Sequence, residues 1–223
     1  VISALQGRGF GHGSGVLNPT RDRFIINVPK NASSFLLDWS RRHGWHAALA
    51  ENHSDTITEI IVILRDPIER WISGIAQYIN SYILSVHGPN GPIFPGELCT
   101  KYDYGMDART FIDQYTDVTE RLFFDVISRF DDHVWPQHEI IKDILPEVPH
   151  KYFMLDHEFD QKIQQYLGWT PATGLDRNQG SANDDNALLQ NFFRERLTQR
   201  PELQERLRRH YSDDYLLLSS MQT

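Results

Sequence analysis

Two β-branched runs, each followed at once by helical periodicity, constrain this chain more than any other feature. "RFIINV" (Arg23–Val28) and "EIIVIL" (Glu59–Leu64) are short, continuous apolar runs. Strands buried on both faces require such runs. Behind the first, residues 33–43 put Phe35, Leu36 and Trp39 on one helical face. Behind the second, "DPIERWISGIAQYINSYIL" (Asp66–Leu84) repeats Ile68, Trp71, Ile72, Ile75, Ile79 and Ile83 at three- and four-residue steps. Asp66 is placed to cap that helix, Pro67 suits its first position, and Glu69 completes a capping box. "KYFMLD" (Lys151–Asp156) reads as a further strand, with a helix at 158–167. Helical patterns also cover 107–130 and 137–145, and a polar loop at 169–183 leads to two C-terminal helices. Strands alternating with helices predict an α/β fold, a single domain with a central, mainly parallel sheet flanked by helices.

The remaining stretches are irregular. Residues 1–21 hold "GRGFGHGSG", a glycine-rich run that precedes the first strand. A dinucleotide fingerprint must follow a strand, so 1–21 reads as a flexible arm and 22–223 as the domain. "HGPNGPIFPGELCTKYDYGM" (His87–Met106) reads as a long surface loop, of the kind that forms substrate lids. Its aromatics Phe94, Tyr102 and Tyr104 suit stacking on a sugar ring, or pinning the loop to the core.

Composition narrows the classes. A net charge of −8 argues against a nucleic-acid binder, which needs a basic surface. Cys99 is the only cysteine, which excludes an internal disulfide and a thiolate metal cluster. No apolar run is long enough for a membrane segment.

The chemistry is concentrated where the two strands end. The first runs into "VPKNASS" (Val28–Ser34) and the second into "RDPIERWIS" (Arg65–Ser73). Parallel strands open onto the same carboxyl edge, where ligands bind. A helix start offers unpaired N–H groups to an anion; Lys30 adds a cation, Ser33 and Ser34 add hydroxyls, and Arg65 adds a planar fork of donors. Two such ends on one edge suit a ligand with two separated anionic groups. Plainer readings stand beside these: a serine-capped helix, an Arg65 pair with Asp66 or Glu69, and Arg70 as a solvated helix charge. The glycines of a Walker A motif are absent.

Together these motifs resemble the sulfotransferases that use 3′-phosphoadenosine 5′-phosphosulfate. That family has a strand ending in Pro-Lys before a Ser or Thr loop, then Arg-Asp-Pro, a Glu-Arg pair, and a Ser eight residues after the first Arg. "DDHVWPQHEII" (Asp131–Ile141) resembles the Pro-Gln region of its carbohydrate-directed, Golgi-type branch, and "HYSDDYLLL" its terminal Tyr-x-x-Asp-Tyr. The resemblance spans roughly residues 22–218. It implies a P-loop-like sulfotransferase fold and transfer of a sulfuryl group to a carbohydrate or other hydroxyl acceptor. The product would be 3′,5′-adenosine bisphosphate, and no metal is expected.

By the same resemblance, Lys30, Asn31, Ala32, Ser33 and Ser34 form the 5′-phosphosulfate site, Arg65 and Ser73 take the 3′-phosphate, and Arg177, beside Asn178, belongs to a loop closing over the nucleotide. A histidine in the interval holding His43, His46, Glu51 and His53 serves as base, His46 first and His53 second. His133, Gln137 and Tyr102 are the acceptor candidates, His133 being also a third choice of base. His43 and His46 have an i, i+3 metal spacing without a third ligand. With neither stem nor disulfides, the chain reads as soluble and cytoplasmic, or as a Golgi lumenal domain freed of an N-terminal anchor. The competing functions are a phosphoryl-transferring P-loop enzyme and a non-catalytic nucleotide-binding protein.

Overall fold

The strand β1 (Ser14–Leu17) turns back into β2 (Arg23–Ile26) through a loop built on Asn18. The Asn18 side-chain oxygen accepts from the N–H groups of Asp22 (3.0 Å) and Arg23 (2.9 Å), while its amide donates to Thr20 and Asp22. The computed structural model describes residues 13–82, 107–169 and 184–221. After β2 come helix α1 (Ser33–Arg42), strand β3 (His46–Leu49), a short 3-10 turn (Ala50–His53), strand β4 (Glu59–Leu64) and helix α2 (Pro67–Tyr82). Then follow α3 (Ala108–Asp113), α4 (Asp117–Arg121), a π-helical stretch (Leu122–Ile127), α5 (Ser128–Phe130) and α6 (Gln137–Ile141). β5 (His150–Met154), α7 (Phe159–Leu167), α8 (Asp184–Gln199), α9 (Pro201–His210) and α10 (Ser212–Ser220) complete the order.

The α/β class and the placement of β2, β4, α1 and α2 follow the sequence patterns. The sheet does not. Its order is β3-β1-β2-β4-β5, with β2, β4 and β5 parallel and β1 antiparallel to both neighbours. It is therefore mixed rather than mainly parallel. The source of the error is β1, which lies in the stretch expected to be a flexible arm. Gly15 is what lets it pair there: a Cβ on this residue would sit 2.1 Å from the Ile25 carbonyl oxygen and 2.6 Å from the Phe24 ring. A glycine taken as a strand breaker instead permits close approach between two strands. Residues 1–12 lie outside the described part.

The chain divides into two compact units. The described residues of the first are 13–67, 136–169 and 211–221. It contains the sheet and a core of Val16, Ile25, Leu36, Trp39, Ile61, Ile63 and Phe153, extended by Trp45 and Trp169. The Trp169 ring meets Trp39 edge-on at 4.7 Å and stacks on His43 at 4.8 Å. His43 is thus a packed residue whose Nδ1 lies 2.9 Å from the Trp39 carbonyl.

The described residues of the second unit are 68–82, 107–135 and 184–210, all helical or loop. It packs Trp71 against Phe124 and Phe193, and Phe123 against Tyr78 and Phe111. Trp71 donates to the Ser128 hydroxyl at 2.8 Å, which donates onward to the Phe123 carbonyl at 2.9 Å. That carbonyl lies in the π-helical stretch, whose widened turn leaves backbone groups for side chains to satisfy. Arg70 is 1% exposed and hydrogen-bonded to the carbonyls of Trp135 and Asp132, not a solvated charge. Among the described residues, no helix is long and apolar enough to cross a membrane.

Candidate functional site

β2 and β4 are adjacent and parallel, with Arg23 level with Glu59 and Ile25 level with Ile61. The loops that follow them therefore leave the same edge of the first unit. After β2 the backbone takes a strained path: Lys30 and Ala32 have φ of 68° and 60°, the left-handed region, with Asn31 between them outside it. Left-handed backbone costs roughly 1–2 kcal/mol per non-glycine residue. Left-handed residues of this kind are the ones that build anion-binding nests of successive N–H groups. α1 starts directly after it, its first helical bond running from Leu36 N to the Ala32 carbonyl at 2.9 Å. The cap residue is Ala32, which offers no side-chain bond, so the helix is not serine-capped in the expected sense. The N–H groups of Ser33, Ser34 and Phe35 precede that first bond and have no intrahelical acceptor. The side chains of Ser33 and Ser34 lie outside the described part.

Arg65 follows β4. One of its guanidinium nitrogens reaches the Lys30 carbonyl at 3.5 Å, so the two motif loops touch. What holds them together is a residue expected to meet the acceptor. Gln137 has no exposed surface, and all four of its amide positions are used. Its oxygen accepts from the Asn31 amide (2.6 Å) and from Arg65 N–H (3.0 Å). Its nitrogen donates to the Arg65 carbonyl (2.9 Å) and to Asp214 Oδ2 (3.4 Å). The acceptor role assigned to Gln137 is therefore corrected: a saturated, enclosed amide has nothing to offer a sugar.

The Asn31 amide also donates to the Ile63 carbonyl at 2.7 Å, tying the nest to the last turn of β4. Asp214, 1% exposed, closes the set. One carboxylate oxygen takes Gln137 N–H at 3.0 Å and the other takes His138 N–H at 2.8 Å, with His138 Nδ1 at 3.2 Å. A carboxylate from the C-terminal helix thus caps α6 from a distance. The sequence offered little sign of this. Asp213 and Asp214 look alike in "SDDY", yet Asp213's side chain is 60% exposed, and only helix phase separates them.

The expected bases are elsewhere. Leu17 pairs with both His46 and Phe24, so His46 is level with the start of β2, at the end of the sheet opposite the motif loops. It also stands two strand spacings, about 10 Å, to the side. His53 shares that corner, its ring 6.5 Å from the His46 ring. Neither is positioned for proton transfer at the strand tips. The interval between the two motifs that holds them is in part an edge strand and in part a 3-10 turn.

In the second unit, His133 Nδ1 lies 3.0 Å from a carboxylate oxygen of Asp131 and 3.0 Å from one of Asp132. Carboxylates only accept, so this nitrogen carries the proton. Burial opposes the charge, but the two hydrogen bonds and the two negative charges outweigh it and push the imidazole up to about 9. Asp132 is held below the usual range: burial works against its charge, and the His133 bond and the Arg70 and His133 charges prevail. These three groups have the spacing of a cation site, with ligand-type atoms within 4.8 Å of one another. The imidazole nitrogen facing both carboxylates has no lone pair left for a metal. His133 is thus not a general base at neutral pH.

Ser73 belongs to the second unit and is 9% exposed on α2; its pairing with Arg65 rests on the motif alone. Arg177, Asn178, Phe94, Tyr102, Tyr104, Cys99 and the 87–106 loop lie outside the described residues. Comparison with protein-family models, characterised proteins and solved structures finds no match.

Proposed function

We propose that this chain is a sulfotransferase, moving the sulfuryl group of 3′-phosphoadenosine 5′-phosphosulfate to a hydroxyl of a carbohydrate. One observation carries the reading. Two loops bearing the family's two motifs leave neighbouring parallel strands on one edge, and they touch through Arg65 and the Lys30 carbonyl. The donor set suits an anion: left-handed backbone at Lys30 and Ala32 on either side of Asn31, a helix start without a side-chain cap, a lysine and an arginine.

When bound, the nucleotide supplies the activated sulfur: a bond from acceptor oxygen to sulfur forms as the bond from sulfur to the phosphate oxygen breaks, and the hydroxyl proton leaves to a base. The N–H groups at the start of α1 hold the 5′ end. Lys30 offsets the charge that builds on the leaving phosphate oxygen, a fixed cation aimed at the transition state. Arg65 presents its planar fork to the 3′-phosphate. His46, His53 and His133 are not retained as the base.

The test is a thermal shift with 3′,5′-adenosine bisphosphate, with 5′-AMP and ATP as controls. A ligand at 100 times its dissociation constant adds about 2.7 kcal/mol, a shift of several degrees. A shift with the bisphosphate alone supports the reading. A larger shift with ATP, and activity abolished by EDTA, would transfer it to phosphoryl chemistry.

A further inference from the structure

We infer that Gln137 and Asp214 are positioning residues for the anion cradle: together they hold the 30–32 backbone and Arg65 in one fixed relation, without touching ligand themselves. Their function as parts of a nucleotide site rests on the sulfotransferase reading above; their effect on the loop does not.

The argument begins with the strain at Lys30 and Ala32. Left-handed backbone at two non-glycine residues persists only where surrounding contacts over-determine it. Asn31, between them, is 1% exposed, and its amide has two acceptors, Ile63 O and Gln137 Oε1. Gln137 in turn grips both the N–H and the carbonyl of Arg65. It therefore sets the spacing between the loop that would bind one phosphate and the residue that would bind the other. Gln137 has a free amide rotation, and Asp214 removes that freedom. Asp214 Oδ2, which accepts the Gln137 N–H, is an acceptor, so it requires the amide nitrogen, not the oxygen, on its side. The oxygen is then directed to Asn31 and Arg65. The C-terminal helix, through one buried carboxylate, dictates which way the cradle's central amide points.

The experiment uses the full chain and three variants: Q137M, of similar volume without hydrogen bonds, D214N, nearly isosteric, and Q137E. Amide hydrogen exchange is followed at residues 29–34 and at Arg65, with Ile60–Ile63 as internal reference, and bisphosphate affinity is measured in parallel. Q137M removes all four side-chain bonds of the amide and D214N removes the carboxylate that orients it, so exchange at the loop and at Arg65 should speed about 5- to 100-fold in each, with the reference strand unchanged. Bisphosphate affinity should fall about tenfold or more.

Q137E restores a donor toward the Arg65 carbonyl and Asp214 only while protonated. Its affinity should approach that of the parent at acid pH and fall as pH rises. The parent chain, with the same His138, Glu139, Asp213 and Asp214 around the site, serves as the control for other titrations. Unchanged loop exchange in both Q137M and D214N overturns the inference, as does loss spread evenly over the whole sheet, which would mark a purely structural role. If the loop loosens as expected while the parent chain binds no bisphosphate, the positioning role stands and the sulfotransferase reading falls.

Discussion

The two units bury polar groups in different ways. In the first, the buried polar groups at the strand tips are two amides and a carboxylate, and their partners are one another and backbone groups of β4, Arg65 and the start of α6. In the second, they include charges set inside helical packing. Arg70 holds two carbonyls beside Trp71, and Glu120, 6% exposed, accepts from Arg196 and faces Arg200 at 3.2 Å. An amide network shapes a loop without committing much of the fold's stability, because each neutral bond contributes only about 1 kcal/mol net. A buried guanidinium is tied to stability itself, since removing it strands its partners. The lesson is that one unit spends its polar burial on geometry and the other on holding helices together.

That contrast breaks most directly at Arg70. R70M should lower unfolding free energy by about 3–5 kcal/mol, because the carbonyls of Asp132 and Trp135 lose their donor in a closed site. Q137M removes four bonds at about 1 kcal/mol net each and should cost no more, about 2–4 kcal/mol. Chemical denaturation of both variants checks this, and a cost of Q137M clearly above that of R70M would remove the distinction drawn between the units. Next in size is Lys30. On the sulfotransferase reading proposed above, where the cation acts chiefly on the leaving group, K30A should lower turnover of the phosphosulfate by about 10²–10³ while bisphosphate affinity drops far less. Equal losses in both would make Lys30 a simple binding residue.

Arg65 sharpens the picture further. On the same reading, R65A should weaken binding of the 3′-phosphorylated nucleotide by about tenfold or more, with the 3′-dephospho analogue little affected, matching the loss of one charge-assisted contact. The smallest effect belongs to His133. Its folded pKa, about 9, is raised from 6.5, so its ion pairs stabilise fully below pH 6.5 and are lost as pH climbs through 9. The denaturation midpoint should fall between neutral pH and about pH 10, and the part of that fall due to this residue should vanish in H133N. An identical pH profile in H133N would show that the imidazolium contributes nothing.

Several of these groups were visible before any fold was known. The β-branched runs at 23–28 and 59–64 and the isoleucine ladder of α2 are local patterns, and local patterns survive in one dimension. So do Lys30 and Arg65 at the strand ends, because a strand followed by a helix already defines where its tip lies. The failures have a common cause. "GVL" behind a glycine run carries too few residues to announce a strand, and its pairing depends on Gly15 meeting the Ile25 carbonyl from elsewhere in the sheet. His46 sits near Lys30 in sequence, but register puts it at the other end of the sheet.

Gln137 shows the same limit from the functional side. A glutamine beside a proline in "WPQHE" reads as a group free to meet a ligand. Only tertiary structure reveals that its four hydrogen-bond positions are filled by Asn31, Arg65 and Asp214, the last 77 residues away. By itself, the sequence determined that β2 and β4 become buried strands, that α1 and α2 are amphipathic helices, and which cations end at the strand tips, because periodicity and capping act between near neighbours. The tertiary structure alone decided the antiparallel β1, the exile of His46, and the enclosure of Gln137. Each depends on contacts between residues far apart in the chain, and burial and register are properties of such contacts rather than of residue type.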